Sequence, residues 1–267
     1  MICPHCGKLI SVSEERCPFC NAWRPGMFGY APALQKVLGG FDFPQLVTIA
    51  CVALFVVSLA VQPETILGSG NPLSILSPGT RALYQLGMTG GVAWRNGWWW
   101  TLLTAIFLHG GLLHIFFNLM SLRNLGPAVV RFFGNARGFV IFMISGVAGY
   151  VLSNVVTNSP TIGASGGIMG LLAALIVYGR RRGGSVMTGQ LYQWAILTFV
   201  MGFMVSAVNN WAHAGGFIGG WLAAQAMPFS DERREGLGVR LLAIGLLLAT
   251  VVGVVLSFVR VTAMLRG

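Results

Sequence analysis

Apolar runs close to the ~20 residues needed to cross a bilayer recur from position 44 to the far end of the chain. About a quarter of the residues in a soluble domain are charged, whereas here 9% of 267 are charged and 55% are hydrophobic. So much apolar length needs lipid around it, and the chain reads as an all-α polytopic membrane protein. Candidate spans cover 44–61, a stretch within 98–132, 138–156, 164–178, 191–208, 211–227 and 239–259, six helices plus a C-terminal seventh. A loop at 62–97 separates the first two, and Trp98, Trp99 and Trp100 read as an interfacial anchor. The polar, cysteine-bearing start predicts no cleavable signal peptide. The expected domains are a small ribbon at 1–26, a linker at 27–43, a six-helix core at 44–229, and a charged loop with the seventh helix at 230–267.

The net charge of +10 sits on arginines scattered between apolar segments, without an extended basic face, so no nucleic-acid partner is expected. In a membrane protein such residues mark cytoplasmic loops. With the N-terminus inside, the Lys/Arg split is 13 inner to 4 outer. This predicts a multi-pass protein of the cell or inner membrane, N-terminus cytoplasmic and C-terminus outside.

Cys3-Pro-His-Cys6 and Cys17-Pro-Phe-Cys20 form two C-x-x-C knuckles ten residues apart. Four converging thiolates suit tetrahedral Zn²⁺. A segment this short cannot bury a core that folds unaided, so bound metal supplies the stability. Two disulfides are the alternative, and a reducing cytoplasm opposes them. The zinc is read as structural, His5 as a non-ligand and Cys51 as a packing residue. Such a ribbon suits docking to a cytoplasmic partner, regulation or folding.

Polar residues inside spans are costly and mark function. Three sites stand out: His109-Gly-Gly-Leu-Leu-His114-Ile-Phe-Phe-Asn118, Gly163-Ala-Ser165-Gly166 and His213-Ala-Gly-Gly216-Phe-Ile-Gly-Gly220. His114 and Asn118, four apart, share one helical face. Gly166 with Gly170, and Gly216 with Gly220, are small-xxx-small patterns that let helices touch. Taken alone, a serine among glycines is a packing residue and a histidine caps a neighbouring helix; together they form a constellation. Ser165 lies fifteen residues before Arg180, and His213 fifteen before Pro228, about 22 Å of helix in each case. Both side chains are thus expected at one depth, beneath the outer boundary of the bilayer and in a cavity open to water. Matching His114 to that depth starts its helix at Gly110-Gly111, although hydropathy alone prefers 98–122.

At these residues the chain resembles the rhomboid intramembrane serine proteases, over about 44–228. The match runs through H-x4-H-x3-N, G-x-S-G and H-x2-G-x3-G, in that order and on the corresponding spans. The resemblance implies a Ser–His dyad without a third acid, Ser165 as nucleophile and His213 as general base. It implies an oxyanion site from His114, Asn118 and the Ser165 backbone N–H, supported by His109, and no catalytic cofactor. It implies transmembrane or juxtamembrane segments of other membrane proteins as substrates, entering laterally near Trp194, Phe199 and Phe203. Thr101, Val130 and Met169 depart from the family, which often has Arg, Glu and an aromatic there. An inactive rhomboid-like protein that binds membrane helices is the alternative; a transporter or channel finds no inverted repeat or intramembrane charge in its favour.

Overall fold

The computed structural model describes residues 2–3, 5–25, 42–65, 76–205 and 208–265, so the expected linker and the middle of the first loop lie outside the described residues. The long helices are α1 (Phe43–Val61), α3 (Leu112–Phe133), α4 (Asn135–Val156), α5 (Ser165–Arg182), α6 (Ser185–Met204), α7 (Asn210–Ala226) and α8 (Leu237–Met264); a short α2 (Thr80–Leu86) lies in the first loop. The chain is an all-α polytopic membrane protein, with no strand among the described residues.

Helices α1, α4 and α8 are long and apolar enough to cross a membrane, and Thr101–Phe107 with α3, a pair bent by 92°, is long and apolar enough when the two are taken together. The rest have physical reasons to be less apolar. In α5 the run from Gly166 to Val177 is wholly buried, so it faces protein rather than lipid, and the helix ends in Arg180, Arg181 and Arg182. In α7, Gly215, Gly216, Gly219 and Gly220 are buried against neighbours. By contrast α8 buries Ala243, Thr250, Gly253 and Ser257, one stripe at helical spacing, and leaves most of its Leu and Val exposed on the other side.

Glycine contact sets the centre of the bundle. A Cβ on Gly216 would run into the backbone of Gly166, and one on Gly220 into that of Gly170, so α7 and α5 touch along the two patterned pairs. A Cβ on Gly215 would meet the Ala148 carbonyl oxygen at 2.7 Å, bringing α4 equally close to α7.

Two helix boundaries and the tryptophan run sharpen the sequence reading. The helix after the bend starts at Leu112, as the depth argument required and against plain hydropathy. Helix α6 begins at Ser185 rather than 191, because Thr188 and Gln190 dilute its first turns without breaking them. Of the tryptophan run only Trp99 is exposed: Trp98 stacks on Trp100, whose Nε1–H donates to Ser257 Oγ on α8 at 2.8 Å. That segment is thus also fastened to a helix.

The arginine-bearing ends of α3, α4 and α5 meet the loop that leads from α7 into α8. Arg137 donates to the carbonyls of Phe133, Arg233 and Arg234, and Glu235 accepts from the Arg137 backbone N–H at 2.8 Å. Arg182 pairs with Asp231 and Glu232, and Phe229 packs on the rings of Phe133 and Tyr178.

Candidate active site

The three sequence sites converge at the opposite end of the bundle. Ser165 is the first residue of α5, where the initial backbone N–H groups have no intrahelical acceptor. His213 lies in the first turn of α7, is 5% exposed, and its Nδ1 is buried without a partner. A Cβ on Gly166 would meet the Ala212 carbonyl oxygen at 3.3 Å. The residues next in sequence to Ser165 and His213 therefore touch, although no hydrogen bond joins Ser165 to His213 among the described residues.

His114 closes on the same turn. The Gly110 N–H donates to its Nδ1 at 3.3 Å, which in a neutral imidazole leaves the proton on Nε2. That Nε2 lies where a Cβ on Gly163 would come within 2.6 Å. Gly163 also has φ +119°, so a side chain there would be strained as well as obstructed. Asn118 is buried; its Nδ2 donates to the His114 carbonyl at 2.8 Å, and its Oδ1 has no partner. The amide thus spends one N–H on its own helix and keeps one. His109 is fully buried with both ring nitrogens unpartnered, its ring 5.0 Å from that of His114.

The seven acidic residues of the chain are Glu14, Glu15, Asp42, Glu64, Asp231, Glu232 and Glu235, so no carboxylate occurs from position 65 to 230 to orient His213. Nor does Met169 stack against that histidine: the ring facing it edge-on, at 6.4 Å, is Phe199 of α6. At the Thr101 departure the hydroxyl donates to the Trp98 carbonyl and lies 3.2 Å from Thr89 Oγ1, a neutral tie in place of the arginine the resemblance would suggest.

Several supporting residues carried no sequence signal. Asn209 caps α7 by accepting from the Ala212 N–H, while its Nδ2 donates to Ser153 Oγ at 2.6 Å and Thr161 Oγ1 at 2.9 Å. Asn154 donates to Thr89 Oγ1, and the Thr161 N–H to the Thr89 carbonyl. Side chains of this kind form no periodic pattern, and only their partners reveal them.

The cysteines form a separate centre. Their four Sγ atoms lie within 4.8 Å of one another, with Cys3–Cys20 at 3.8 Å and Cys6–Cys17 at 3.6 Å. A disulfide needs about 2.05 Å. A tetrahedron with metal–sulfur bonds of about 2.3 Å has edges of about 3.8 Å, so the donor set fits a thiolate-bound ion. Both knuckles fold alike: Gly7 and Asn21 donate to the Cys3 and Cys17 carbonyls at 2.9 Å and hold positive φ. The thiols share protons among themselves: against burial, backbone N–H groups at Phe19 and Cys20 and the neighbouring thiols bring Cys17 down to about 7, while, against the Ala22 backbone N–H, burial and the neighbouring thiols push Cys20 up to about 12.

Comparison with known proteins places this geometry in context. A model of the Rhomboid domain matches residues 96–228. Rhomboid protease GluP of Bacillus subtilis (strain 168) is 36% identical over 180 residues, 66% of this chain and 35% of that protein. Putative rhomboid protease YdcA from the same organism is 35% identical over 158 residues, 57% of this chain and 75% of that protein. Inactive RHOMBOID-like protein 8 of Arabidopsis thaliana is 30% identical over 178 residues, 62% and 49% respectively. The chain thus spans only about a third of GluP and about half of the Arabidopsis relative.

Proposed function

The chain belongs to the rhomboid family, and we propose that it is an intramembrane serine endopeptidase that cleaves transmembrane or juxtamembrane segments of membrane proteins in the bilayer. The observation that carries this reading is the Gly166–Ala212 backbone contact, which sets Ser165 and His213 on touching helices beside the His114 ring. His213 acts as general base for the Ser165 hydroxyl, a weak nucleophile until its proton is taken. Catalytic hydrogen bonds are often long before substrate arrives and tighten in the complex, so an open Ser165–His213 pair fits a resting enzyme. Ser165 Oγ attacks the scissile carbonyl, and the oxyanion is received by His114 Nε2–H, the free Asn118 N–H and the Ser165 backbone N–H. His213 then protonates the leaving amine, and water, activated by the same ring, releases the acyl group.

Purified full-length protein incubated with a panel of single-span substrates should release product, and Ser165→Ala and His213→Ala should each lower the rate by on the order of 10⁴-fold or more. Cleavage at wild-type rate by either variant would end the dyad. The second reading, a non-catalytic membrane-helix binder, draws on the relative named inactive; it predicts no product from any substrate.

The arginine asymmetry supports a site open to the outer face, with the ribbon inside. With Cys51→Ser and the ribbon removed, Ser165→Cys is the only thiol, and an impermeant thiol reagent should label it from the outer face of oriented vesicles. Labelling from the inner face would reverse the topology. The ribbon ion is Zn²⁺, structural and remote from Ser165. Metal analysis should find one zinc per chain, lost in Cys3→Ser, while cleavage in detergent persists once residues 1–26 are removed; loss of cleavage by a still-folded core would reject that separation.

A further inference from the structure

The hydroxyl of Tyr150 is used by nothing in this mechanism, yet it lies beside the nucleophile turn. Tyr150 is on α4, 1% exposed, with its Oη 2.6 Å from the Gly163 carbonyl oxygen and 3.1 Å from that of Ala105. The Gly163 N–H itself donates to the Ala105 carbonyl at 3.0 Å. Gly163 is therefore held at both ends of its backbone, its N–H by the segment before the bend and its C=O by α4. Between those two ties its Cα faces His114 Nε2, and two residues later the chain reaches Ser165. A phenol O–H donates one hydrogen bond at a time, and the shorter distance selects Gly163.

We propose that Tyr150 is a positioning residue for the reaction: by holding the Gly163 carbonyl it fixes the turn that sets the Ser165 Oγ and N–H relative to His114. The proposal rests on the reading of Ser165 as nucleophile. Its physical basis is that oxyanion donors work only when preorganised, and a glycine at φ +119° supplies no rotamer or Cβ packing to hold itself. Removing the hydroxyl leaves a buried carbonyl free to turn toward another donor, carrying the next two residues with it. A purely structural tyrosine would instead lose stability and leave turnover intact.

Tyr150→Phe keeps the ring and removes the donor. Measured in the full-length protein on a substrate that wild type cleaves and Ser165→Ala does not, kcat should fall about tenfold, the worth of one well-formed hydrogen bond. KM should change less than twofold, and fluorophosphonate acylation of Ser165 should slow by a similar factor to kcat. The comparator is Phe133→Leu, a fully buried ring in the arginine half, assayed at temperatures giving both variants the same distance below Tm; it should keep wild-type kcat. Replacing Tyr150 by 4-aminophenylalanine restores a donor and should recover most of the lost turnover, which also separates the donor from the fold if Tyr150→Phe unfolds. Wild-type kcat in folded Tyr150→Phe, an equal kcat loss in the comparator, or no recovery with the amino analogue overturns the proposal. A wild type inert to substrate and fluorophosphonate overturns the protease reading and this proposal with it; an active wild type with an unaffected Tyr150→Phe overturns this proposal alone.

Discussion

The two ends of the helix bundle are held together by different chemistry. Around Ser165 and His213 the ties are neutral and buried: glycine backbones in contact, and hydroxyls and amides from Thr89, Tyr150, Ser153, Thr161 and Asn209. Around the loop into α8 they are ionic, and the Arg182 pairs with Asp231 and Glu232 are exposed to solvent. Full charges beneath a bilayer surface demand heavy desolvation, whereas a hydroxyl bonded to a carbonyl is satisfied at low cost. The neutral end can thus be rigid at depth and still leave Nδ1 of His213 unpaired. The ionic end carries no such reserve and serves as a fastening.

Four substitutions test that contrast. Gly216→Val drives a branched side chain into the Gly166 backbone and should destroy both folding and cleavage, read by thermal unfolding and product formation. The same change at Gly245, where a Cβ meets nothing within 4 Å, should leave both intact. Equal tolerance at both positions would remove the close-contact argument. Asn209→Ala deletes a helix cap and two buried hydrogen bonds, and should cost about 1–3 kcal/mol in mixed-micelle unfolding, independent of salt. A strong salt dependence there would mean that the neutral end is electrostatic after all. Arg182→Gln should cost at most about 1 kcal/mol, and the difference from wild type should vanish in about 1 M salt, where screening reaches a few ångströms.

Much of this was legible in the residues because membranes penalise polarity so heavily. Ser165, His114, Asn118 and His213 stand out in apolar runs, and the glycine pairs announce the helix contact that the structure contains. The bend at Gly110-Gly111 was reachable only by matching depths, since Thr101–Phe107 is as apolar as a true span. Tyr150 and Asn209 were not legible: an aromatic near the end of a span and a polar residue before a helix look ordinary until their partners, 13 to 56 residues away, are known. The Arg137–Glu235 fastening was hidden for the same reason, its two members lying 98 residues apart.

The tie between Trp100 and Ser257 has a consequence for how the protein is made. Gln85 lies in the first loop and Trp100 just beyond it, yet their side-chain partners, Thr262 and Ser257, sit on α8. Ribosomes deliver the chain from its N-terminus, so the loop waits through the synthesis of every intervening helix before its last fastening arrives. Each nascent molecule is therefore born with that segment unlocked, and its side-chain ties form only once α8 is in place. Under the proposed function, cleavage begins only once these ties to α8 have formed.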